Sequence, residues 1–511
     1  MVDAAHPVRH RGMITVSIML ATVMQALDTT IANVALPHMQ GSLSAAQDQI
    51  SWVLTSYIVA AAVATPLTGW ISNRIGRKKL FLISVAGFTV ASLLCGVAQS
   101  IGEMVLFRLL QGLFGAGLVP LSQAVLLDIN PPERHGSAMA IWGAGIMVGP
   151  ILGPTLGGYL TELYNWRWVF LINLPVGLVA FLGIVTFVTE TKSSGKRQFD
   201  LFGFAMLAIA IGAFQLMLDR GELKDWFSSG EIITEAAVAG LAFYLFLAHS
   251  LTASRPFLEM ELFRDRNFSV GLVFIFIVGI ILLATMALLP PMLQNLMGYP
   301  VITTGLVLAP RGVGTMIAML IVGRLVNRID ARLLIFVGLM LTAGSLYDMT
   351  GFSLDIGTSD LVRTGITQGL GLGFIFVPLS TLTFSTLQAR LRTDATALYS
   401  LVRNLGSSVG ISIVVALLSQ NTQINHAELA SNVTPFNKVF HLPGVPAIWN
   451  LANPAGLAAF DMEVNRQAAM IAYIDDFKLM MIVTLLAVPL LMLLRVRRNG
   501  PGTAPEPVAV E

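Results

Sequence analysis

Asp28 stands in the stretch QALDTTIANVALP, residues 25–37, inside the first long apolar run of the chain. An acid at least one helical turn inside hydrocarbon is costly and marks a functional site by default. At a period of 3.6 residues, Gln25, Asp28, Thr29, Ala32 and Asn33 fall on one side of a helix. Such a polar stripe suits a water-filled cavity better than lipid. The chemistry open to it is proton exchange, taking a proton where the site faces one compartment and releasing it where it faces the other. The bland alternative is a neutral acid hydrogen-bonded to a neighbouring helix.

Arg108 is a second charge within an apolar run, and it shares a helical face with Gln111, Gly112, Gly115, Ser122 and Gln123. Asp28 lies about 8 residues from the end of its run and Arg108 about 5, so at about 1.5 Å per residue their depths differ by a few ångströms. Matched depth leaves the two charges able to meet or to share water if their helices are neighbours. Gln25, Thr29, Asn33, Gln111 and Gln123, with Arg403 and Asn404 from a later run, are the candidate lining of a substrate cavity. Arg311 and Arg363 are further charges inside apolar runs. A third constellation is structural. Gly145, Gly149, Gly153 and Gly157 recur every four residues, with Gly158, Pro150 and Pro154 among them. The glycines make a face for close helix contact, and the prolines each remove a backbone bond. A hinge between two parts of the molecule is the expectation.

These residues sit in a chain built for lipid. It has 511 residues, 55% hydrophobic and 12% charged, against about 25% charged in soluble domains. A large soluble domain has no room, and the net charge of +2 gives no reason to expect a nucleic-acid partner. The one cysteine, Cys95, excludes an intrachain disulfide and reads as apolar core. No phosphate-binding loop or HExxH zinc motif occurs, so no metal or cofactor is expected and an enzyme has no support.

Spanning takes about 20 apolar residues. Runs of that kind fall near 13–36, 50–72, 79–99, 103–127, 137–161, 167–189, 201–218, 232–251, 268–295, 303–324, 332–350, 360–387, 395–419 and 474–494. The first contains Gln25 and Asp28, so it reads as a retained helix rather than a leader. Fourteen helices put both termini on one side. Loops on that side hold 21 of the 31 Lys and Arg residues, and the opposite loops hold five. That bias predicts cytoplasmic termini. The one long connection, 420–473, then faces outward, and Trp166 and Trp168 flank Arg167 at the outer interface.

The sequence repeats. GWISNRIGRKKL at 69–80 returns as GRLVNRIDARLL at 323–334, and Gln111-Gly112-Leu113 returns as Gln368-Gly369-Leu370. Both pairs skip eight runs where two six-helix halves would skip six. Two extra helices therefore lie between the halves. The division expected is 1–190 for the first half, 191–266 for the inserted pair, 267–498 for the second half and 499–511 for a disordered tail. Parallel six-helix halves are a transporter architecture with substrate bound at the midplane.

Five stretches together resemble the major facilitator superfamily, and within it the 14-helix drug:proton antiporters of the EmrB type: 27–37, 69–79, 108–117, 145–160 and 165–177. The resemblance implies an all-α polytopic major facilitator fold and proton-coupled efflux of lipophilic toxic compounds across the inner membrane. It implies that Asp28 carries the proton and Arg108 modulates it, with the proton gradient and no cofactor as energy source. It implies a conformational gate at Gly69, Asn73, Arg74, Gly76 and Arg77, and an antiporter motif at Gly145 to Gly158. A periplasmic adaptor of the EmrA type and a TolC-type outer-membrane channel are the partners it suggests. One departure stands out. The family has an acid where this chain has Asn73, and Asp128 or Glu133 on the adjacent loop are the candidates to replace it. A proton-coupled exporter of one metabolite or siderophore is the main alternative; a channel is a weaker one.

Overall fold

The structure is a computed structural model and describes residues 10–190, 198–326, 328–434, 437 and 453–495. Lys192, Lys196, Arg197, Asn327, Lys438, Pro435, Pro443, Pro446 and the expected tail 499–511 lie outside the described residues.

Each of the fourteen predicted runs is helical. They are α1 (Arg11–Ser42), α2 (Trp52–Ala64 with Leu67–Ile75), α3 (Arg77–Val97), α4 (Ile101–Ile129), α5 (His135–Leu163), α6 (Trp168–Phe187) and α7 (Leu201–Arg220). They continue as α8 (Gly230–Thr252), α9 (Arg266–Leu296), α10 (Val301–Leu325), α11 (Ala331–Met349), α12 (Thr358–Ser385), α13 (Arg392–Ser431) and α14 (Pro454–Leu493). In lipid every backbone polar group needs an internal partner, and helices of this length supply it. The bend of 56° between the two pieces of α2 falls at Thr65 and Pro66, where proline cannot complete the ladder.

Both described ends of the chain lie at one end of the bundle. The ring of His10 lies 6.0 Å from that of Phe187, at the end of α6. Arg77 and Arg392 both bond Asp128. Arg390 bonds Glu259 and Glu261, and Asn267 donates to the Arg495 carbonyl at 2.8 Å. We call this the terminal side.

The repeat is visible in packing. Gly112 of α4 sits against the Tyr57 carbonyl of α2, and Gly369 of α12 sits against the Arg311 carbonyl of α10. Gly149 and Gly153 of α5 close on Ala26 and Thr30 of α1, and Gly406 and Gly410 of α13 close on Phe276 and Ile280 of α9. This corrects one expectation. The α5 glycine face packs within its own half, on the helix that carries Asp28. A different face of α5 meets the second half, with Gly143 against Met319 and Ile151 against Gly312. The helix does break, at Met147, because Pro150 cannot bond the Ile146 carbonyl.

The inserted pair lies to the outside. α7 touches both halves away from the terminal side: Asp219 accepts from Thr55 of α2, and Ser412 of α13 donates to the Leu218 carbonyl at 2.8 Å. α8 keeps Leu241, Tyr244 and Leu251 exposed, as a lipid-facing helix would.

The long connection is not a loop over most of its described length. α13 runs for 40 residues, which at 1.5 Å each is about 60 Å, twice the roughly 30 Å hydrocarbon thickness. α14 starts at Pro454 and packs beside it, with His426 on Asp461 at 2.9 Å and Asn425 donating to the Ala468 carbonyl at 3.4 Å. Residues 420–431 and 454–473 therefore form a helical arm that continues both spans.

Candidate functional site

Asp28 is 1% exposed, midway along α1. Its Oδ2 accepts a hydrogen bond from Arg108 Nη1 at 2.7 Å. Its Oδ1 accepts from Gln111 Nε2 and from Asn173 Nδ2, each at 2.8 Å. Helices α1, α4 and α6 thus meet on one carboxylate. Arg108 is fully buried as well. Its Nη1 also donates to Gln111 Oε1 at 2.7 Å and its Nε to the Val53 carbonyl of α2 at 3.0 Å. Its guanidinium lies over the Tyr57 ring at 4.5 Å and the Phe170 ring at 5.5 Å.

The arrangement explains why two charges survive here. Taking an ion pair out of water costs several kcal/mol per ion, and attraction offsets this only with good geometry and satisfied lone pairs. Both carboxylate oxygens are satisfied, and charge-assisted bonds of this length are the strong kind. Asn173 is in turn held by Ser92 Oγ, to which it donates at 2.9 Å. Gln25 Nε2 donates to the Tyr57 hydroxyl at 3.3 Å, and Cys95 Sγ donates weakly to Gln111 Oε1 at 3.7 Å.

The structure brings Asp28, Arg108, Gln111 and Gln25 together as a linked cluster. It corrects the expectation of a water-facing acid, because the three donors seal the carboxylate in this conformation. Gln111 is spent inside the cluster and lines no open cavity. Gln123 is fully buried, and neither atom of its amide has a hydrogen-bond partner among the described residues. Thr29 is half-buried and bonds its own helix at the Ala26 carbonyl. Asn33 and Asn404 are exposed, and Arg403 is half-buried on the α13 turn that packs on Gly279. Trp168 is exposed as an interface anchor would be, but Trp166 is buried, with the Arg167 guanidinium 4.5 Å from its ring. Asn173 escaped the sequence reading. Its stretch 165–177 was singled out, yet an asparagine on an apolar helix gives no sign of its partner.

A second cluster joins the halves on the terminal side. Asp128, at the end of α4, is bonded by Arg77 of its own half and by Arg392 Nη1 of the other at 2.8 Å. Thr396 Oγ1 donates to the Pro120 carbonyl at 3.1 Å. Asn73 Nδ2 lies 3.5 Å from Asp394 Oδ2, in the first turn of α13. Gly69 is where α2 comes closest: a Cβ there would collide with the Asp394 carboxylate. Gly76 has φ +95°, a left-handed conformation that favours glycine, and a side chain there would also meet Glu190. Of the two acids suggested to replace the one missing at Asn73, Asp128 holds the pair across the halves. The terminal side is closed, while Asn33 and Asn404 remain exposed beyond it.

The family model described as the Major Facilitator Superfamily matches residues 18–411. The chain belongs to the major facilitator superfamily. Among curated relatives, the chain is 38% identical over 429 residues to the fatty acid resistance protein FarB of Neisseria gonorrhoeae, covering 84% of this chain and 85% of that one. It is 38% identical over 427 residues to the multidrug export protein EmrB of Escherichia coli, covering 83% of each. The fold resembles the solved structure of the human organic anion transporter MFSD10, with a TM-score of 0.60 at 14% identity, covering 93% of this chain and 99% of that one. This major facilitator chain is therefore a multi-pass membrane protein and, by family, a transporter of small molecules.

Proposed function

We propose that the protein is a proton-coupled efflux transporter of lipophilic compounds in the inner membrane, with both termini cytoplasmic. The observation that carries the coupling is the sealed Asp28 carboxylate, bonded at once to α4 and α6. A proton arriving on Oδ2 forms an O–H bond there and removes the charge that holds Arg108 Nη1. Arg108 keeps the Val53 carbonyl and Gln111 Oε1, and Oδ1 still accepts from Gln111 and Asn173, so protonation replaces the charge-assisted grip between α1 and α4 by weaker neutral hydrogen bonds. Reloading the carboxylate with Arg108 would restore the grip after the proton leaves. Proton and substrate need only favour different conformations for exchange to follow. The bias of basic residues supports a cytoplasmic terminal side, and the contacts that close that side support an outward-facing conformation.

The relatives' names support the substrate class, because one is a multidrug exporter and one confers fatty acid resistance. Proteoliposomes with an imposed pH gradient test the reading, with ethidium and a labelled long-chain fatty acid as probes. Native protein should move one of them uphill. Asp28→Asn should still exchange it downhill but lose gradient-driven transport. Equal uphill transport by Asp28→Asn would remove Asp28 from the coupling.

The adaptor and outer-membrane channel follow as the finer part of the same proposal. The α13–α14 arm is the outward feature large enough to dock an adaptor. Replacing 432–453 by a short turn should abolish resistance in whole Gram-negative cells and spare vesicle transport.

A further inference from the structure

We propose that Asp476 of α14 is a second proton-binding site, placed in the half of the molecule that lacks Asp28. The proposal rests on the transport reading for its role, but its chemistry stands on the structure. Asp476 is 1% exposed, and neither carboxylate oxygen has a hydrogen-bond partner among the described residues. An ionised carboxylate buried in this way would go uncompensated, at a cost of several kcal/mol. Asp28 shows what this chain supplies where it buries a charge: three donors, one of them a guanidinium.

No such supply surrounds Asp476. α14 packs on α9, α11 and α13. α9 meets this part of α14 through Thr285, a neutral residue, which contacts Met480. The α11 acid, Asp348, is turned to Arg363 at 3.7 Å, and the α13 histidine, His426, is turned to Asp461. On its own helix the titratable neighbours are Asp475, a like charge, Tyr473, and Lys478, whose side chain is exposed while Asp476 is buried. The geometry points to a carboxylic acid with its proton on one oxygen.

One turn along α14 from Asp476, a polar patch lies within an apolar cluster. Met480, one turn along α14, has its sulfur 3.6 Å from Thr285 Oγ1. Thr285 accepts from Gln368 Nε2 at 3.2 Å. Gln368 Oε1 is buried without a donor among the described residues. Gln368 is the repeat partner of Gln111, so each half sends this glutamine to the first helix of its half, to Asp28 in one and Thr285 in the other. In the second half the acid stands on the last helix instead. A metal ion does not fit, since no group of three or more His, Cys, Asp or Glu side chains is gathered among the described residues. Loading forms an O–H bond on Asp476. Release breaks it and leaves a carboxylate, so it must wait until α14 opens to water or to a donor.

The test uses the purified full chain. Infrared spectra at neutral pH should show a protonated-carboxyl band that Asp476→Asn abolishes and Asp28→Asn keeps. In proteoliposomes, the number of protons exchanged per ethidium should fall by one in Asp476→Asn while ethidium counterflow persists. A missing band, a band unchanged in Asp476→Asn, or an unchanged proton count would overturn the proposal. If Asp476→Asn does not fold, the native band and its shift in Asp476→Glu decide the matter. Failure of native protein to carry either ethidium or the labelled fatty acid would instead strike the transport reading and leave the infrared result standing.

Discussion

Asp128 of the first half is bonded to Arg392 of the second at 2.8 Å, and Arg77 bonds the same carboxylate. One acid therefore ties the loop after α2 to the start of α13. Both partners are partly buried, with side-chain exposures of 25% for Asp128 and 17% for Arg392, so solvent screens the pair only in part. A hydrogen bond to a charged group contributes about 1.5–3 kcal/mol, roughly a ten- to hundredfold shift in an equilibrium. Asp128→Asn and Arg392→Gln should each move the population toward opening on the terminal side by that order. Cysteine accessibility at Thr396, which lies against Pro120 in the closed state, reads the shift. Unchanged accessibility in both variants would show that the closed state does not depend on this pair.

The glycines of α5 should not be equivalent. A Cβ at Gly149 would come 2.6 Å from Ala26 Cβ and 2.7 Å from the Ala26 backbone carbon, where nothing flexible can yield. At Gly145 the obstacle is the tip of Met19, and at Gly158 nothing lies within 4 Å. Gly149→Ala should cost about 1–3 kcal/mol by overpacking and slow transport strongly. Gly145→Ala should be mild and Gly158→Ala close to native. Thermal unfolding in detergent and vesicle transport of all three would check the order, and a damaging Gly158→Ala would contradict it.

Asn173 is the donor that sequence reading did not find. Without it, Asp28 Oδ1 keeps Gln111 alone and Ser92 loses a partner. Asn173→Ala should cost about 1.5–3 kcal/mol, and Asn173→Asp more, since it sets a second carboxylate against the first. Denaturation midpoints and gradient-driven transport should fall in the order native, Ala, Asp. An Asn173→Ala protein equal to native in both would make the contact incidental.

Much of this was legible because lipid leaves few choices. Apolar runs of spanning length become helices, and the polar residues left inside them must meet one another. Asp28 and Arg108 lie at matched depths and do meet. The repeat at Gln111 and Gln368 located the inserted helices, and the structure places those two glutamines in corresponding roles. Other features depend on rotation about a helix axis, which composition does not reveal. The α5 glycines were read as a seam between halves, yet a helix with small residues on several faces can turn any of them outward. Gln111 and Gln123 looked like cavity lining for the same reason. The connection 420–473 carried a mixed helical pattern near 455–473, which the helix from Pro454 bears out; that residues 420–431 continue α13 was not legible, because polar helices beyond a membrane need no apolar pattern.

The last prediction concerns the departure at position 73. The family resemblance implies an acid there, so restoring it looks like a repair. The structure argues otherwise. Asn73 Nδ2 lies 3.5 Å from Asp394 Oδ2, and Arg77 lies close enough to feel the same carboxylate. Asp394 is 8% exposed and sits in the first turn of α13, where the helix dipole favours a negative charge. The acid is present, but on the opposite helix of the contact. Asn73→Asp would face one carboxylate with another and weaken closure of the terminal side. Asp394→Asn would remove the charge and weaken it too. The double exchange, Asn73→Asp with Asp394→Asn, rebuilds an acid and an amide across the same gap with their places reversed. It should recover part of the loss, with a coupling of about 0.5–3 kcal/mol between the two positions. Accessibility of a cysteine at Thr396 and the rate of gradient-driven export measure it. If Asn73→Asp alone exports faster than native, or if the two single losses simply add in the double variant, the acid has not been relocated and Asn73 serves the contact by its size.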